Sequence, residues 1–288
     1  MEYPDLSEPE NIAGFRALGT MGRPLSELAH DITIDGPAGD LRLRIIRPDG
    51  PVSAVMIDVH GGGWTLGLPE EDDWINDLYA TQAGIASVAM EYRLAPELPS
   101  PAALEDVVAA ALWIAEHAQE EFGTDRLLVQ GASAGGHLAA QLLLVLRDEH
   151  PEVFARIAAA SLVYGVYDIG QTPSQRRAGD AVMLPDHWIA SFIDNYWPGL
   201  DAEARRDPAI SPLYADLTGL PPALFTVGSL DPFLDDSLFM SGRWAAAGNR
   251  ADLEVWEGGP HGFNNISPTT GAAVVDHVTT WFTARLAE

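Results

Sequence analysis

The 288 residues of this chain carry the pattern of a doubly wound, mostly parallel α/β sheet with antiparallel N-terminal strands and a helical cap. Apolar and polar residues alternate across 32–47, as in Leu41-Arg42-Leu43-Arg44-Ile45, which fits two half-exposed antiparallel strands at a sheet edge. Five later runs, 54–57, 85–90, 127–129, 158–163 and 223–227, are short and almost wholly apolar, as strands covered on both faces must be. Helical periodicity fills the intervals, so each parallel neighbour is reached by a crossover.

Taken in order, the hairpin within 32–47 leads to the first buried strand at 54–57, a helix over 74–83 and the strand at 85–90. A long helix over 102–122 precedes the strand at 127–129, and another over 135–147 precedes the strand at 158–163. After the strand at 223–227 come a helix over 235–247, an alternating and therefore outer strand at 253–256, and a closing helix over 272–286. Two segments stand outside this alternation: residues 1 to about 28, and 167–207, which is far longer than a crossover needs. The second carries Met183, Leu184, Trp188, Phe192, Tyr196 and Trp197, enough apolar surface to pack on something. Both read as a cap over the carboxyl ends of the strands, where sites in open α/β sheets lie. No linker or composition break divides the chain, so 1–288 reads as one domain.

Composition removes several function classes. Cysteine is absent, which excludes disulfides, thiolate nucleophiles and Cys-based metal sites. All 16 basic residues are arginine, so a serine–lysine pair, a Schiff base and a phosphate-loop lysine are excluded too. Against 42 Asp and Glu they leave a formal net charge of -26, which disfavours nucleic acid and anionic membranes as partners. That excess reads as solvated surface, with salt adaptation as the alternative. The acidic stretch Glu70-Glu71-Asp72-Asp73 reads as a solvated helix start. No membrane-length apolar run and no basic, apolar leader is visible, so a soluble, cytoplasmic protein is expected.

Chemistry concentrates where strands end. Gly131-Ala132-Ser133-Ala134-Gly135 has the form of a nucleophile elbow. A strand turning at once into a helix strains the middle residue and displays its side chain, and only small neighbours let both backbones pass. His60-Gly61-Gly62-Gly63-Trp64 follows the strand ending at Val59, and its glycine amides, with that of Ala134, suit the oxyanion of an acyl-transfer intermediate. His60 itself reads as a structural residue shaping that turn.

A serine of ordinary pKa needs a base, and the base needs an orienting acid. In the order Ser, acid, His that such a sheet requires, Asp231 follows the strand at 223–227 and His261 lies in Gly258-Gly259-Pro260-His261-Gly262-Phe263 after the last strand. Asp235 and Asp236 are the rival acids, but they fall one turn on, where a helix start favours acids for its dipole. The remaining histidines, His30, His117, His137, His150, His187 and His277, read as structural or solvated. No metal-ligand spacing appears, and neither metal nor cofactor is expected.

With these pieces in place the chain resembles the hormone-sensitive-lipase-like branch of the α/β-hydrolases, which includes bacterial carboxylesterases. The resemblance spans nearly the whole sequence and rests on the two glycine-rich motifs above, Tyr92-Arg93-Leu94-Ala95-Pro96-Glu97, Ser211-Pro212-Leu213, Asp231-Pro232 and His261-Gly262-Phe263. It implies Ser133 as nucleophile, Asp231 and His261 as its partners, and the N–H groups of Gly62, Gly63 and Ala134 as oxyanion hole. It also implies that Arg93 and Glu97 brace the region beneath the site. Two departures stand out: Ala132 where the branch usually has Asp, and Glu91 where it tends to have Asp.

The implied activity is that of a serine carboxylesterase acting on small, apolar, short-to-medium acyl esters through an acyl-enzyme, with Trp64, Trp188 and Phe192 binding substrate. An amidase or lactonase with the same triad is the nearer alternative, and a non-catalytic ligand-binding receptor the more distant one. By analogy with the branch, the last strand, 253–256, is where a homodimer would form.

Overall fold

The computed structural model describes residues 3–20, 25–179 and 181–288. Of the two expected cap segments, residues 1, 2, 21–24 and 180 lie outside the described residues. The strands are β1 (Ala29–Gly36), β2 (Gly39–Ile46), β3 (Ala54–Val59), β4 (Ile85–Met90), β5 (Leu127–Ala132), β6 (Ile157–Val163), β7 (Ala223–Gly228) and β8 (Ala251–Trp256). They form one sheet in the order β1-β2-β4-β3-β5-β6-β7-β8. β1 and β2 pair antiparallel, as do β2 and β4, and every later pairing is parallel. This is the mostly parallel sheet with an antiparallel start that the alternation over 32–47 and the apolar runs foretell.

The helices are α1 (Pro9–Ala17), α2 (Asp73–Ala83), α3 (Ala102–Phe122), α4 (Ala134–Glu149), α5 (Pro151–Phe154), α6 (Pro173–Arg176), α7 (Asp186–Tyr196), α8 (Leu234–Ala246) and α9 (Pro268–Leu286). Side chains alternate across each strand, so β3 sends Val55, Ile57 and Val59 into a core shared with α3, α4 and α8. Ala54 and Met56 go to a second core shared with α2 and α9. The chain winds outward from β3 to β4 and then crosses back past β3 to β5, so β3 and β5 end side by side at the reversal. Ligand sites of open α/β sheets lie at that crevice.

The two cap segments pack on each other. Trp188 of α7 donates its indole N–H to Pro4 O at 2.7 Å and meets the rings of Tyr3 and Phe15 edge-on, each at 5.3 Å. Asn195 Nδ2 donates to Leu6 O at 3.1 Å. Arg16 at the end of α1 donates to Thr65 O and Ala95 O and pairs with Glu97 at 2.8 Å, which ties α1 to the loop after β3.

The acidic stretch before α2 corrects the expectation of a solvated helix start. Asp73 is buried against the guanidinium of Arg44, with Nη2 to Oδ2 at 2.6 Å and Nε to Oδ1 at 2.7 Å, while Glu70 accepts from Arg42 at 2.7 Å. Alternation points Arg42 and Arg44 of β2 toward α2, so the acids meet fixed cations rather than water. Among the described residues no group of three or more His, Cys, Asp or Glu could hold a metal ion, and no helix is long and apolar enough to cross a membrane.

Candidate active site

Ser133 sits between β5 and α4 at φ 56° and ψ -120°, a backbone conformation that L-residues rarely adopt. Its neighbours show why they must be small. A Cβ on Gly135 would land on the carbonyl oxygens of Val59 and His60, and one on Gly131 would strike Gly135 O. A Cβ on Gly136 would come within 2.9 Å of Gly165 Cα.

His261 Nε2 lies 3.0 Å from Ser133 Oγ, and its Nδ1 lies 3.0 and 3.1 Å from Asp231 Oδ2 and Oδ1. Asp231 is buried and also accepts the Phe233 N–H at 2.8 Å, so it acts as acceptor throughout. A carboxylate that only accepts fixes the proton of the imidazole on Nδ1 and leaves Nε2 free to receive one from the serine. The loops carrying the acid and the base are interlocked: Leu230 N donates to Gly259 O at 3.0 Å, and a Cβ on Gly228 would meet that same carbonyl. Tyr164 and Phe233 hold the imidazole between their rings, with centroids 4.7 and 5.1 Å away. Neither was singled out by the motifs, because an aromatic just after a strand carries no local signal of what it will touch.

On the other side of Ser133 the glycine turn is held from behind. Tyr92 Oη donates to His60 O at 2.9 Å and lies 3.2 Å from Gly61 O, while His60 Nδ1 approaches Gly61 O at 2.8 Å and its ring stacks on Tyr92 at 4.1 Å. Because a peptide is planar and trans, anchoring the Gly61 carbonyl toward Tyr92 turns the Gly62 N–H the opposite way. Burial pushes His60 down to about 4, so it is neutral and structural. Among the described residues no protein acceptor engages the amides of Gly62, Gly63 or Ala134.

A family model described as the alpha/beta hydrolase fold matches residues 56–265. Carboxylic ester hydrolase LipN of Mycobacterium tuberculosis is 37% identical over 249 residues, covering 84% of this chain and 66% of its own length. An esterase of Pyrobaculum calidifontis superposes with a TM-score of 0.86 at 30% identity, over 97% of this chain and 94% of that one. A hormone-sensitive lipase from a metagenome library superposes with a TM-score of 0.82 at 28% identity, over 99% and 93% of the two chains. The chain belongs to the hormone-sensitive-lipase-like branch of the α/β-hydrolases.

In this hydrolase Ser133 opens onto a small apolar pocket of about 20 Å³, bounded by Gly63, Trp64 and Ala134 on the sheet side. Leu184, Ile189, Phe192 and Ile193 close it from the cap side, and Val166 after β6 and Phe233 after β7 complete its wall. Trp64 and Phe192 both line this pocket, and the Phe192 ring packs directly over Gly63. Trp188 does not line this cavity. One position before Ile189 on α7, it faces the N-terminal segment, where its N–H finds an acceptor. Gly62 borders a separate groove on the far side of the turn, with Phe15 and Leu66.

The bracing pair also differs in detail from what the resemblance implies. Arg93 binds Asp106 at 2.9 Å and Glu105 at 2.8 Å within the start of α3, whereas Glu97 binds Arg16. The rival acids have a task of their own. Asp235 accepts the Ser174 N–H at 2.8 Å, and Asp236, fully buried, accepts from Tyr167 N, Asp168 N, Thr172 Oγ1 and Gln175 Nε2 at 2.7 to 3.0 Å. They anchor the cap rather than merely neutralising a helix dipole.

Proposed function

We infer that Ser133 is the nucleophile, His261 the general base and Asp231 the orienting acid of the reaction that this hydrolase performs: it is a serine carboxylesterase. The observation that carries the assignment is the continuous chain from Ser133 Oγ through His261 to Asp231, with both links at 3.0 Å. Ser133 attacks the ester carbonyl as His261 takes its proton, and the amides of Gly62, Gly63 and Ala134 receive the developing oxyanion. His261 then protonates the departing alcohol. Water, deprotonated by the same imidazole, releases the acid from the acyl-enzyme.

An organophosphate tests the assignment directly. Phosphonylation of Ser133 with loss of p-nitrophenyl acetate hydrolysis is expected, and an active but unlabelled protein would overturn it. A ligand-binding receptor would stay unlabelled and inactive. Anilides and lactones in the same assay separate the amidase and lactonase readings, and an ester should be turned over fastest.

The acyl group is small. The space beside Ser133 is narrow and walled by Phe192, which favours short acyl groups such as acetyl and propionyl. The Phe192→Ala variant should shift the preferred acyl chain of p-nitrophenyl esters upward, gaining up to about fourfold in kcat/KM per methylene newly accommodated, the equivalent of about 0.8 kcal/mol. An unchanged chain-length profile would place the acyl group elsewhere.

The cap is formed by the N-terminal segment and 167–207 together, supported by the contacts of Trp188 and Asn195 with residues 4 and 6. The enzyme works as a soluble, cytoplasmic protein on a small-molecule ester. As a homodimer it would pair along β8, an edge strand on which Leu253 and Val255 are exposed. A monomeric mass in solution would remove the dimer.

A further inference from the structure

Beneath the elbow lies a carboxylate that the reaction as derived does not use. Asp58 of β3 is buried on the sheet face that packs against α2 and α9, directly across from Gln130 of β5 in the strand register. It accepts from Asn76 Nδ2 at 2.8 Å and from Gln130 Nε2 at 3.3 Å, and Gln130 Oε1 in turn accepts the Tyr79 hydroxyl at 2.7 Å. Burial is the leading influence on Asp58 and pushes it up to about 6 despite those two donors. An ionisable group held inside a core at that cost marks a place where something beyond packing is served.

What surrounds it indicates the use. Asp58 and Gln130 border a small cavity of about 20 Å³ with mixed polar and aliphatic walls that include Ala132, the residue before the nucleophile, and Asn264, three residues after His261. Asn264 Oδ1 accepts the Tyr164 hydroxyl at 2.6 Å, and the Tyr164 ring rests on His261. Asp72 and Tyr79 are the other ionisable groups on that wall, and Asp73 of α2 also acts on Asp58 through its charge. One carboxylate therefore sits between the strand that aims the serine and the turn that aims the base.

We propose that Asp58 is a positioning residue for both members of the reacting pair, holding the nucleophile strand through Gln130 and bordering the cavity shared by Ala132 and the Asn264–Tyr164 support of His261. The inference rests on reading Ser133 and His261 as that pair. It requires a carboxylate on the strand side of this cavity, which Asp72 ahead of α2 does not supply, rather than at one particular strand position, since Asp58, Gln130 and Ala132 all face it.

Asp58→Asn keeps the shape and removes the charge, and Asp58→Ala removes both. With p-nitrophenyl acetate, kcat is expected to fall about tenfold in the first and about a hundredfold in the second, with KM within twofold of the starting protein. The double variant Asp58→Asn with Ala132→Asp returns a carboxylate from the neighbouring strand and should bring kcat back to within about threefold. Unfolding midpoints identify any variant that has simply lost its fold, and Asp58→Asn retains the packing that Asp58→Ala gives up. An unchanged kcat in folded Asp58→Asn would overturn the proposal, as would a double variant no faster than Asp58→Asn alone. Failure of the underlying assignment looks different: the unaltered protein would then escape organophosphate labelling, whereas failure of the present inference leaves that labelling intact.

Discussion

Replacing Ser133 with alanine should lower kcat for p-nitrophenyl acetate by about four to six orders of magnitude while leaving KM little changed. The size follows from what is lost. Without the hydroxyl no acyl-enzyme forms, and the imidazole can at most activate a water that the site was not shaped to hold. The apolar cavity and the amides of Gly63 and Ala134 remain, so substrate still binds and some rate above that of water persists. His261→Ala should fall nearly as far, because its imidazole is both the base for Ser133 and the acid for the leaving alcohol. The double variant should be no slower than either single one, since the two side chains act as a unit. Multiplying losses would mean that they do not work together. Undiminished hydrolysis in Ser133→Ala would end the assignment. Asp231→Asn should lose less than either, about four orders, since it spoils the tautomer while leaving nucleophile and base in place.

Those three residues could be found because each stands in a motif whose physics is local. Small residues around Ser133 are demanded by the turn itself, and the Gly135 position shows the demand as a direct collision between backbones. Strand type was largely legible for the same reason: alternation marks β1 and β8 and apolar runs mark the strands covered by helices on both faces, whereas β2 alternates in sequence yet is buried on both faces because Arg44 turns to buried Asp73. What was not legible depends on which surface happens to arrive. Asp236 looks from sequence like any acid at a helix start, and only the return of the chain at Tyr167 to Gln175 makes it a buried acceptor of four hydrogen bonds. Asp73 likewise met an arginine from a strand 29 residues earlier. On α7 the apolar side chains Trp188, Ile189, Phe192 and Ile193 form one broad stripe, and nothing in their spacing says that the stripe is shared between the substrate cavity and the N-terminal segment.

Asp236 carries the second large effect. Asp236→Ala leaves two buried backbone N–H groups, a hydroxyl and an amide without their acceptor, and should cost about 3–5 kcal/mol, or roughly 10 °C in the unfolding midpoint. The loss should appear in KM as well, because the released segment leads into Leu184 and Ile189 of the cavity wall. Asp236→Asn is expected to be mild. Its oxygen can keep the two backbone donors and its new amide can donate to the Thr172 hydroxyl, while Gln175 Nε2 keeps its bond to Asp168 O. The pair of variants also separates by pH. Burial pushes Asp236 up to about 7, whereas in the unfolded chain it titrates near 4. Between those values the folded protein keeps a proton that the unfolded chain has released, so this group's contribution to stability declines as pH rises through that window and is level above it. Asp236→Asn has nothing to titrate there, and its unfolding midpoint relative to the starting protein should climb from pH 4 to pH 7 and then stay flat. A difference that is already flat from about pH 5 to pH 7 would mean that the four donors hold Asp236 ionised throughout, with the anchored cap stabilised by charge rather than by a neutral carboxyl.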